Sequence, residues 1–370
     1  MNQDLKWSNY DFSKIPFDDI VSVGQRTLLY RDLFTVSWLL GRFCNYKCSY
    51  CWPYARSDRK DHRPTDLCLK TIDSIKEQAR GNGFNSFHFS LSGGEPTFHP
   101  GYLDILNHLA NDVRNTNYTS VHMTSNCSRN MRWFKEYVEK VKPFHRASIT
   151  ASLHTEHVNN KEKMQDFADK LIFCQEHDVQ VTINQVMVPE WFERDWENAL
   201  FFHEQGINVT LKPQSDPTAS RVVDGYKEED LKKLYNGMPQ RAYTESKRKW
   251  ASRPKPSFQV PQGVEGKMDT SIPWHMQVEM EDSKGNKYYM DQAERFNAFN
   301  FNNFEGWACN AGYSGIIIRE PDGSIKRSYS CHDAPLGNIE TGFTLLKTPK
   351  TCITKSCVSS ADSKIPKRKN

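Results

Sequence analysis

The stretch from residue 34 to residue 51 reads FTVSWLLGRFCNYKCSYC, and it decides how the rest of the sequence is interpreted. Its first seven residues form a strand-like run in which apolar residues alternate with Thr35 and Ser37. Three cysteines follow this run directly, at spacings of four and three residues: Cys44, Cys48 and Cys51. Thiolates prefer zinc or iron–sulfur clusters, so this loop predicts a metal site at the end of a strand.

The same strand-like pattern recurs along the next 180 or so residues, separated by helix-like runs. The predicted strands are 34–40, 87–92, 121–126, 147–153, 179–187 and 207–212. Between them, residues such as Cys68, Ile72, Ile75 and Ala79 share one helical face. Strands that alternate with helices indicate βαβ units and a parallel sheet. The predicted fold class is therefore α/β, with a partial (β/α)6 TIM-like barrel over residues 33–212.

Each predicted strand has one apolar and one mostly polar face, because side chains alternate along a strand. The polar faces include His88, His122, His154 and Lys212. We expect helices to cover the apolar face and the polar face to line a cavity that suits a hydroxylated or carboxylated molecule. The alternative is a sheet with one solvated face.

Composition excludes several classes of protein. The chain has 370 residues with 49 Lys+Arg against 45 Asp+Glu, and the resulting +4 is too mild to imply a polyanionic partner. No run approaches the roughly 18 apolar residues of a membrane helix, and residues 1–6 do not resemble a signal peptide. Ten cysteines without a secretory signal favour thiols in a reducing compartment. The expectation is a cytoplasmic protein without a membrane partner.

The sequence divides into five predicted regions. They are an extension (1–32), the barrel (33–212), a proline-rich insertion (213–305), a compact cysteine-bearing region (306–360) and a basic, disordered tail (361–370). The insertion is predicted to hold a helix over 227–235 and a hairpin at 283–286. Its basic stretch 241–255 favours a solvated loop over an RNA-binding surface.

Spacing C-x3-C-x2-C, with aromatic Tyr50 before the last cysteine, resembles the radical S-adenosylmethionine (SAM) enzyme superfamily. The resemblance implies a [4Fe–4S] cluster on Cys44, Cys48 and Cys51, with one iron left open for SAM. The alternative is a structural zinc site, for which His62 or Cys68 would have to supply a fourth ligand.

Four further segments resemble motifs of that superfamily, each at the carboxyl end of a predicted strand: 92–96 (SGGEP), 124–126 (TSN), 152–154 (SLH) and 184–187 (NQVM). Glycines allow close approach of backbone to a ligand, and a carboxylate can receive an ammonium group. His154 stands where the family usually has an acid. The resemblance implies SAM contacts from Tyr50, Gly93, Gly94, Glu95, Ser125, Asn126, Ser152 and Gln185.

A second set of cysteines surrounds a predicted hairpin (316–326): Cys309, Cys331, Cys352 and Cys357. Four cysteines supply a full ligand set for zinc or for a second cluster. Their arrangement is similar to the twitch or SPASM auxiliary-cluster domains of some radical SAM enzymes. The resemblance implies a small α+β domain that holds an auxiliary [4Fe–4S] cluster, with a zinc site as the alternative.

By resemblance, the chain would cleave SAM reductively to a 5′-deoxyadenosyl radical and abstract a hydrogen atom from a small polar, sugar-like or carboxylated substrate. An auxiliary cluster would favour net oxidation, and the electron donor would be a protein such as flavodoxin or ferredoxin. A ribosomally made peptide is the second candidate substrate. Candidate catalytic residues are Cys127, His154 and Lys212. A non-catalytic zinc or nucleic-acid-binding protein is the alternative from another class.

Overall fold

We analysed a computed structural model, which describes residues 10–30, 32–52, 55–60, 62–217, 221–239, 268–269, 271–273, 276–293 and 295–370. The strands are β1 (Ile20–Gln25), β2 (Leu33–Leu39), β3 (Ser86–Ser92), β4 (Tyr118–Ser125), β5 (Arg146–Leu153), β6 (Gln180–Met187), β7 (Asn208–Pro213), β8 (Val278–Asp282), β9 (Lys287–Met290), β10 (Ala308–Cys309), β11 (Gly315–Ile318), β12 (Ser324–Lys326), β13 (Gly337–Asn338), β14 (Gly342–Phe343), β15 (Lys350–Thr351) and β16 (Lys367–Arg368). The helices are α1 (Arg26–Leu29), α2 (Thr65–Gly81), α3 (Tyr102–Ala110), α4 (Met131–Val141), α5 (Lys161–Glu176), α6 (Phe192–Glu204), α7 (Glu228–Asn236), α8 (Arg295–Ala298) and α9 (Ser360–Ser363).

Strands β2 to β7 form a parallel sheet in sequential order. A helix follows each of β2 to β6 and packs its apolar side on the sheet, as Ile72 and Ile75 of α2 do. The α/β class of the prediction is confirmed. In the described chain β7 is an edge strand that does not pair with β2, which is the order expected of an open barrel.

Side-chain alternation sorts the two faces of this sheet. Phe34, Val36 and Trp38 of β2 are fully buried in the main core beneath the helices. Thr35 and Ser37 point to the opposite face and line a cavity of about 390 Å³. The polar face is therefore partly enclosed by protein and is not simply solvated.

The β11–β12 hairpin occupies a place that the sequence did not reveal. β11 pairs in parallel with β2, so β11 to β14 continue the barrel sheet at its first edge. Gly315 is required at the start of this contact, because a Cβ there would lie 2.2 Å from Thr35 Oγ1. Part of the predicted cysteine-bearing region is thus an extension of the barrel sheet.

A second sheet joins distant parts of the chain in the order β15-β10-β16-β1-β8-β9. The prediction of a disordered tail over 361–370 is wrong. Residues 367–368 form β16 between β1 and β10, and Lys367 is only 4% exposed. A run of lysines and arginines indicates solvation, but Lys367 here lies in an interior position.

The insertion contains helix α7, close to its predicted place, and the β8–β9 hairpin around residues 283–286. The basic stretch 241–255 lies outside the described residues. Within the described parts of the chain, no helix combines the length and apolar character needed to cross a membrane.

Candidate active site

The loop that carries the first three cysteines begins just beyond the carboxyl end of β2. All three thiols are free, and Cys48 is buried. Burial, followed by the charges of Glu156 and the other two thiolates, raises the pKa of Cys48 to about 12. Burial also raises the pKa of Cys44 and Cys51. Because a metal binds thiolates, occupation of this site would release protons.

The Gly-Gly-Glu segment after β3 holds the start of this loop. Gly94 N donates to Gly41 O at 2.9 Å, and Glu95 N donates to Phe43 O at 2.6 Å. A Cβ on Gly94 would lie 2.3 Å from the carbonyl oxygen of Phe43. The physical need for glycine here is thus close contact with the cysteine loop, whereas the sequence suggested close approach to a ligand.

Glu95 is the central polar residue beneath the loop, at 1% exposure. Its Oε1 accepts hydrogen bonds from Thr97 N (3.1 Å), Thr97 Oγ1 (2.7 Å) and Ser125 Oγ (2.8 Å). Its Oε2 accepts one from Asn126 N at 2.6 Å, which leaves that oxygen capacity for a further donor. Burial raises the pKa of this carboxyl group despite these bonds. Glu95 therefore ties the ends of β3 and β4 together, and its contact with an ammonium group stays a prediction.

Asn126 connects Glu95 to the cysteine loop. Its Nδ2 donates to Asn45 Oδ1 at 2.9 Å and lies 3.9 Å from Cys44 Sγ. Asn45 in turn donates to Ser128 Oγ at 3.0 Å. The end of β4 thus fixes the first part of the cysteine loop.

The segment after β5 holds the rest of the loop through His154 and through Glu156 and His157, of which the last two were missed by the sequence analysis. Ser49 N donates to Glu156 Oε2 at 2.9 Å, and the Tyr46 ring stacks on His157 with centroids 4.0 Å apart. Tyr50 Oη lies 2.8 Å from His154 Nδ1. The signal that could have found them is the cluster of polar side chains directly after 152–154.

His154 is neutral in this environment. Burial, followed by the charge of His157, lowers its pKa to about 4. With Nδ1 bound to Tyr50, the imidazole holds the cysteine loop in place. Its candidate catalytic role stays a prediction, and the described contacts favour a positioning role.

The zinc alternative can be tested against these distances. Tetrahedral zinc–thiolate bonds of about 2.3 Å would bring neighbouring sulfurs within about 4 Å of one another. Among the described residues, the three ligand atoms that lie within 4.8 Å of one another belong to Cys48, Glu156 and His157, and to no cysteine triplet. His157 Nε2 accepts from Lys47 N at 3.3 Å, so a backbone contact already explains that proximity. As placed, the three thiols are therefore too far apart to be ligands of one tetrahedral zinc ion.

The other predicted SAM contacts lie on different faces of the parallel sheet. Ser152 lies on the cavity side of β5 and keeps its predicted role. Gln185 is fully buried on the helix side of β6, where its Nε2 donates to Asp195 O at 2.7 Å, and its contact with SAM stays a prediction. Ser125 also points away from the cavity side and acts on Glu95. In both cases side-chain alternation explains the difference.

The remaining catalytic candidates differ in accessibility. Cys127 is 1% exposed within the main apolar core, which is incompatible with a thiol at the cavity mouth. Lys212 lies opposite Val186 in the sheet register, at the end of the edge strand β7. It is partly exposed and stays a candidate.

The cavity wall repeats one hydrogen-bonded pair on adjacent strands. His88 Nδ1 lies 2.8 Å from Ser120 Oγ, and His122 Nδ1 lies 2.8 Å from Ser148 Oγ. Both pairs follow the strand register. Burial, followed by the positive charges of Arg146 and Lys364, lowers the pKa of His122 to about 4. His122 is thus neutral, and the wall is polar with cations beside it.

The far end of the cavity is closed by segments from the second sheet and the tail. Tyr329 Oη lies 2.7 Å from Ser37 Oγ of β2. Asp362 accepts from Ser330 N at 2.6 Å and from Tyr329 N at 3.3 Å. Tyr329 precedes Cys331 by two residues, so a segment that lines the cavity leads directly to the second cysteine set.

The four cysteines of that second set lie in one buried cluster with Val23, Phe301, Phe304 and Trp307. All four are free thiols: Cys309, Cys331, Cys352 and Cys357. Burial raises the pKa of Cys357 to about 12, and the charges of Cys309 and Cys352 add to the rise. Burial raises the pKa of Cys331 as well, with Cys309 again nearby. The arrangement can supply a four-thiolate metal site.

Neutral buried histidines predict an acid-sensitive fold. The pKa values of His99, His122 and His154 are lowered to about 4, so the unfolded chain binds these protons more tightly. The stability that these three histidines contribute is therefore complete above about pH 6.5 and is lost as the pH falls toward 4. His122→Asn should reduce proton uptake on unfolding by about one, which is about 1.4 kcal/mol per pH unit in the slope of unfolding free energy. Urea unfolding between pH 4 and 6.5 measures the slope, exposed His177→Gln is the control, and an unchanged slope contradicts the assignment.

The chain is similar to one protein family and to several solved structures. Residues 38–203 match the family model described as Radical SAM superfamily. No curated protein matches the chain. Among solved structures, native anSMEcpe with bound AdoMet is 17% identical, with a TM-score of 0.49 over 84% of this chain and 79% of that one. The complex of anSMEcpe with AdoMet and the Kp18Cys peptide is 16% identical, with the same score and coverage. Coproporphyrinogen III oxidase (HemN) from Escherichia coli, described as a radical SAM enzyme, is 12% identical, with a TM-score of 0.37 over 62% of this chain and 59% of that one.

Proposed function

We propose, from the premise that residues 38–203 of this chain form a Radical SAM superfamily domain, that the protein is a radical SAM enzyme acting on a small polar, carboxylated substrate. The observation that carries the proposal is the loop of three free thiols just beyond the carboxyl end of β2, a strand whose polar face lines the cavity. The Gly-Gly-Glu segment holds it on one side and the segment after β5 on the other.

Cys44, Cys48 and Cys51 would hold the [4Fe–4S] cluster, and SAM would bind beside it. When bound, these groups supply a 5′-deoxyadenosyl radical able to take a hydrogen atom from an unactivated carbon. The chain would orient the cluster and SAM through the hydrogen bond of Glu95 to Asn126 N and through Asn126 Nδ2 beside Cys44. The remaining capacity of Glu95 Oε2 supports its contact with the amino group of SAM.

The cavity favours a substrate with hydroxyl and acidic groups. Its histidine–serine pairs offer hydrogen-bond donors and acceptors. Its charged lining residues, within the described ranges, are three cations (Arg146, Arg327 and Lys364) and one carboxylate, Asp362. Because Asp333 balances Arg327, Arg146 and Lys364 against Asp362 leave one net positive charge on the lining. An anionic group on the substrate would bind at the Arg146 side, where β5 begins.

The four buried cysteines are proposed to hold an auxiliary [4Fe–4S] cluster. They lie behind the segment that closes the cavity, which suits a centre that accepts an electron from a substrate radical and so permits net oxidation. The proposal includes a cytoplasmic location and an electron donor such as flavodoxin or ferredoxin.

The test is anaerobic reconstitution with iron and sulfide, followed by incubation with SAM and dithionite. Formation of 5′-deoxyadenosine and methionine supports the proposal. Absence of both products in a protein of confirmed cluster content rejects it. A panel of deuterated carboxylated sugars, neutral sugars and peptides then locates the abstracted hydrogen by isotope transfer into 5′-deoxyadenosine.

A variant with all four C-terminal cysteines changed to serine separates the two centres. Wild-type protein should hold about eight irons and the variant about four, because each cluster contains four. The variant should still cleave SAM but should not convert a substrate whose reaction is a net oxidation. Iron analysis and product analysis measure the two effects. Equal iron content in both proteins would reject the auxiliary cluster, and zinc in the wild type would support the alternative.

A further inference from the structure

Lys367 of β16 has an unusual position for a lysine, at 4% exposure. Its Nζ donates to the backbone carbonyl oxygens of Asp362 (2.6 Å), Ile365 (2.9 Å) and Ser363 (3.2 Å). It also lies 4.9 Å above the Phe304 ring. These acceptors are neutral, so they stabilise the ammonium group without cancelling its charge.

In the described chain, no carboxylate oxygen comes within 4.0 Å of Lys367 Nζ to form an ion pair. The other buried cation of this region, Arg327, differs in this respect. Its Nη1 lies 2.9 Å from Asp333 Oδ2, so a carboxylate already balances it. A buried charge is costly unless an opposite charge lies near it.

The missing negative charge can come from the cysteine cluster. Lys367 of β16 pairs directly with Cys309 of β10, and Cys357 is close enough for its charge to interact with those of Lys367, Cys309 and Cys352. Four thiolates around a [4Fe–4S]²⁺ core carry a net charge of two minus, and reduction adds one more. A fixed cation beside the cluster favours the reduced form because it stabilises the added electron.

We infer that Lys367 is the counter-cation of the four-cysteine centre and that it raises the reduction potential of that centre. The inference rests on the auxiliary cluster of the proposed function. Lys367 then acts on the cluster through its charge and does not touch the reacting atoms. This role explains why a lysine from the tail lies inside the second sheet.

The test uses Lys367→Gln, which keeps donors for the backbone carbonyls but removes the charge, and Lys367→Met, which removes both. Lys369→Gln is the matched control, because Lys369 is exposed on the same segment. Each change is made in the full chain with Cys44, Cys48 and Cys51 replaced by alanine, so that only the second cluster is observed. Dithionite titration followed by electron paramagnetic resonance gives the midpoint potential.

We expect both Lys367 variants to lower the reduction equilibrium constant about tenfold, which is 59 mV for one electron, and Lys369→Gln to leave it unchanged. If Lys367→Met fails to load iron, Lys367→Gln alone decides the result. An iron cluster whose potential is the same in Lys367→Gln and wild type overturns this inference and leaves the proposed function intact. Colourless zinc in the wild-type site overturns the auxiliary cluster and this inference together.

Discussion

Replacing Cys48 by alanine is expected to reduce formation of 5′-deoxyadenosine to the background level. The thiol lies in the middle of the loop that would hold the cluster, between Cys44 and Cys51. Removal of one of only three protein ligands leaves the cluster without a stable attachment, and the chemistry depends on that cofactor. Product analysis by liquid chromatography after anaerobic reconstitution measures the loss.

Cys68→Ala is the matched control for this prediction. Cys68 is a free, buried thiol in the main core, with its Sγ 3.8 Å from His99 Nε2. We expect the control to keep its iron content and its product yield, with only a small loss of stability from the deleted sulfur. Wild-type product yield from Cys48→Ala would show that the loop does not hold the reacting centre.

Replacing Glu95 by alanine is expected to lower the free energy of unfolding by roughly 3 kcal/mol or more and to prevent cluster loading. The change leaves the buried N–H groups of Thr97 and Asn126 without their acceptor, and each unsatisfied group costs about 1–3 kcal/mol. It also releases Asn126 from its place beside Cys44. Urea unfolding and iron analysis measure the two effects.

Two further variants make the result specific. Glu95→Gln keeps one carbonyl acceptor, so it should lose less stability than Glu95→Ala. Glu136→Ala removes an exposed carboxylate that pairs with Arg132 on the same helix, and it should change the free energy of unfolding by less than about 0.5 kcal/mol. A Glu95→Ala protein as stable as Glu136→Ala would contradict the stabilising role of the Glu95 hydrogen bonds.

The parallel strands were predictable because their signals are local. Each predicted strand over 34–212 overlaps an observed strand, since alternation and turn residues act within a few positions. The loop of three cysteines follows directly from the sequence as well. The contacts of Glu95 with Ser125 and Asn126 could be inferred only as neighbouring strand ends, because register is a property of the folded sheet.

Local patterns are less informative where distant segments meet. Gln185 lies near the end of a predicted strand beside polar Asn184, but its position in the alternation places it toward α6. The pairing of β11 with β2 joins residues 315–318 to 35–38, and no local pattern encodes it. The basic tail looks solvated until the neutral carbonyl acceptors of Lys367 and the partner strands of β16 are known.

Pairing of Ser22 with Arg368 has a consequence for the order of folding. The barrel strands β2 to β7 pair with sequence neighbours, so their contacts span shorter loops than those of the second sheet and can form earlier. The second sheet must bring together segments from nearly the whole described chain, which makes its closure slow. We therefore expect the four thiols packed beside this sheet (Cys309, Cys331, Cys352 and Cys357) to stay exposed for longer during folding. They should be the first thiols of the chain to be oxidised or to bind the wrong metal.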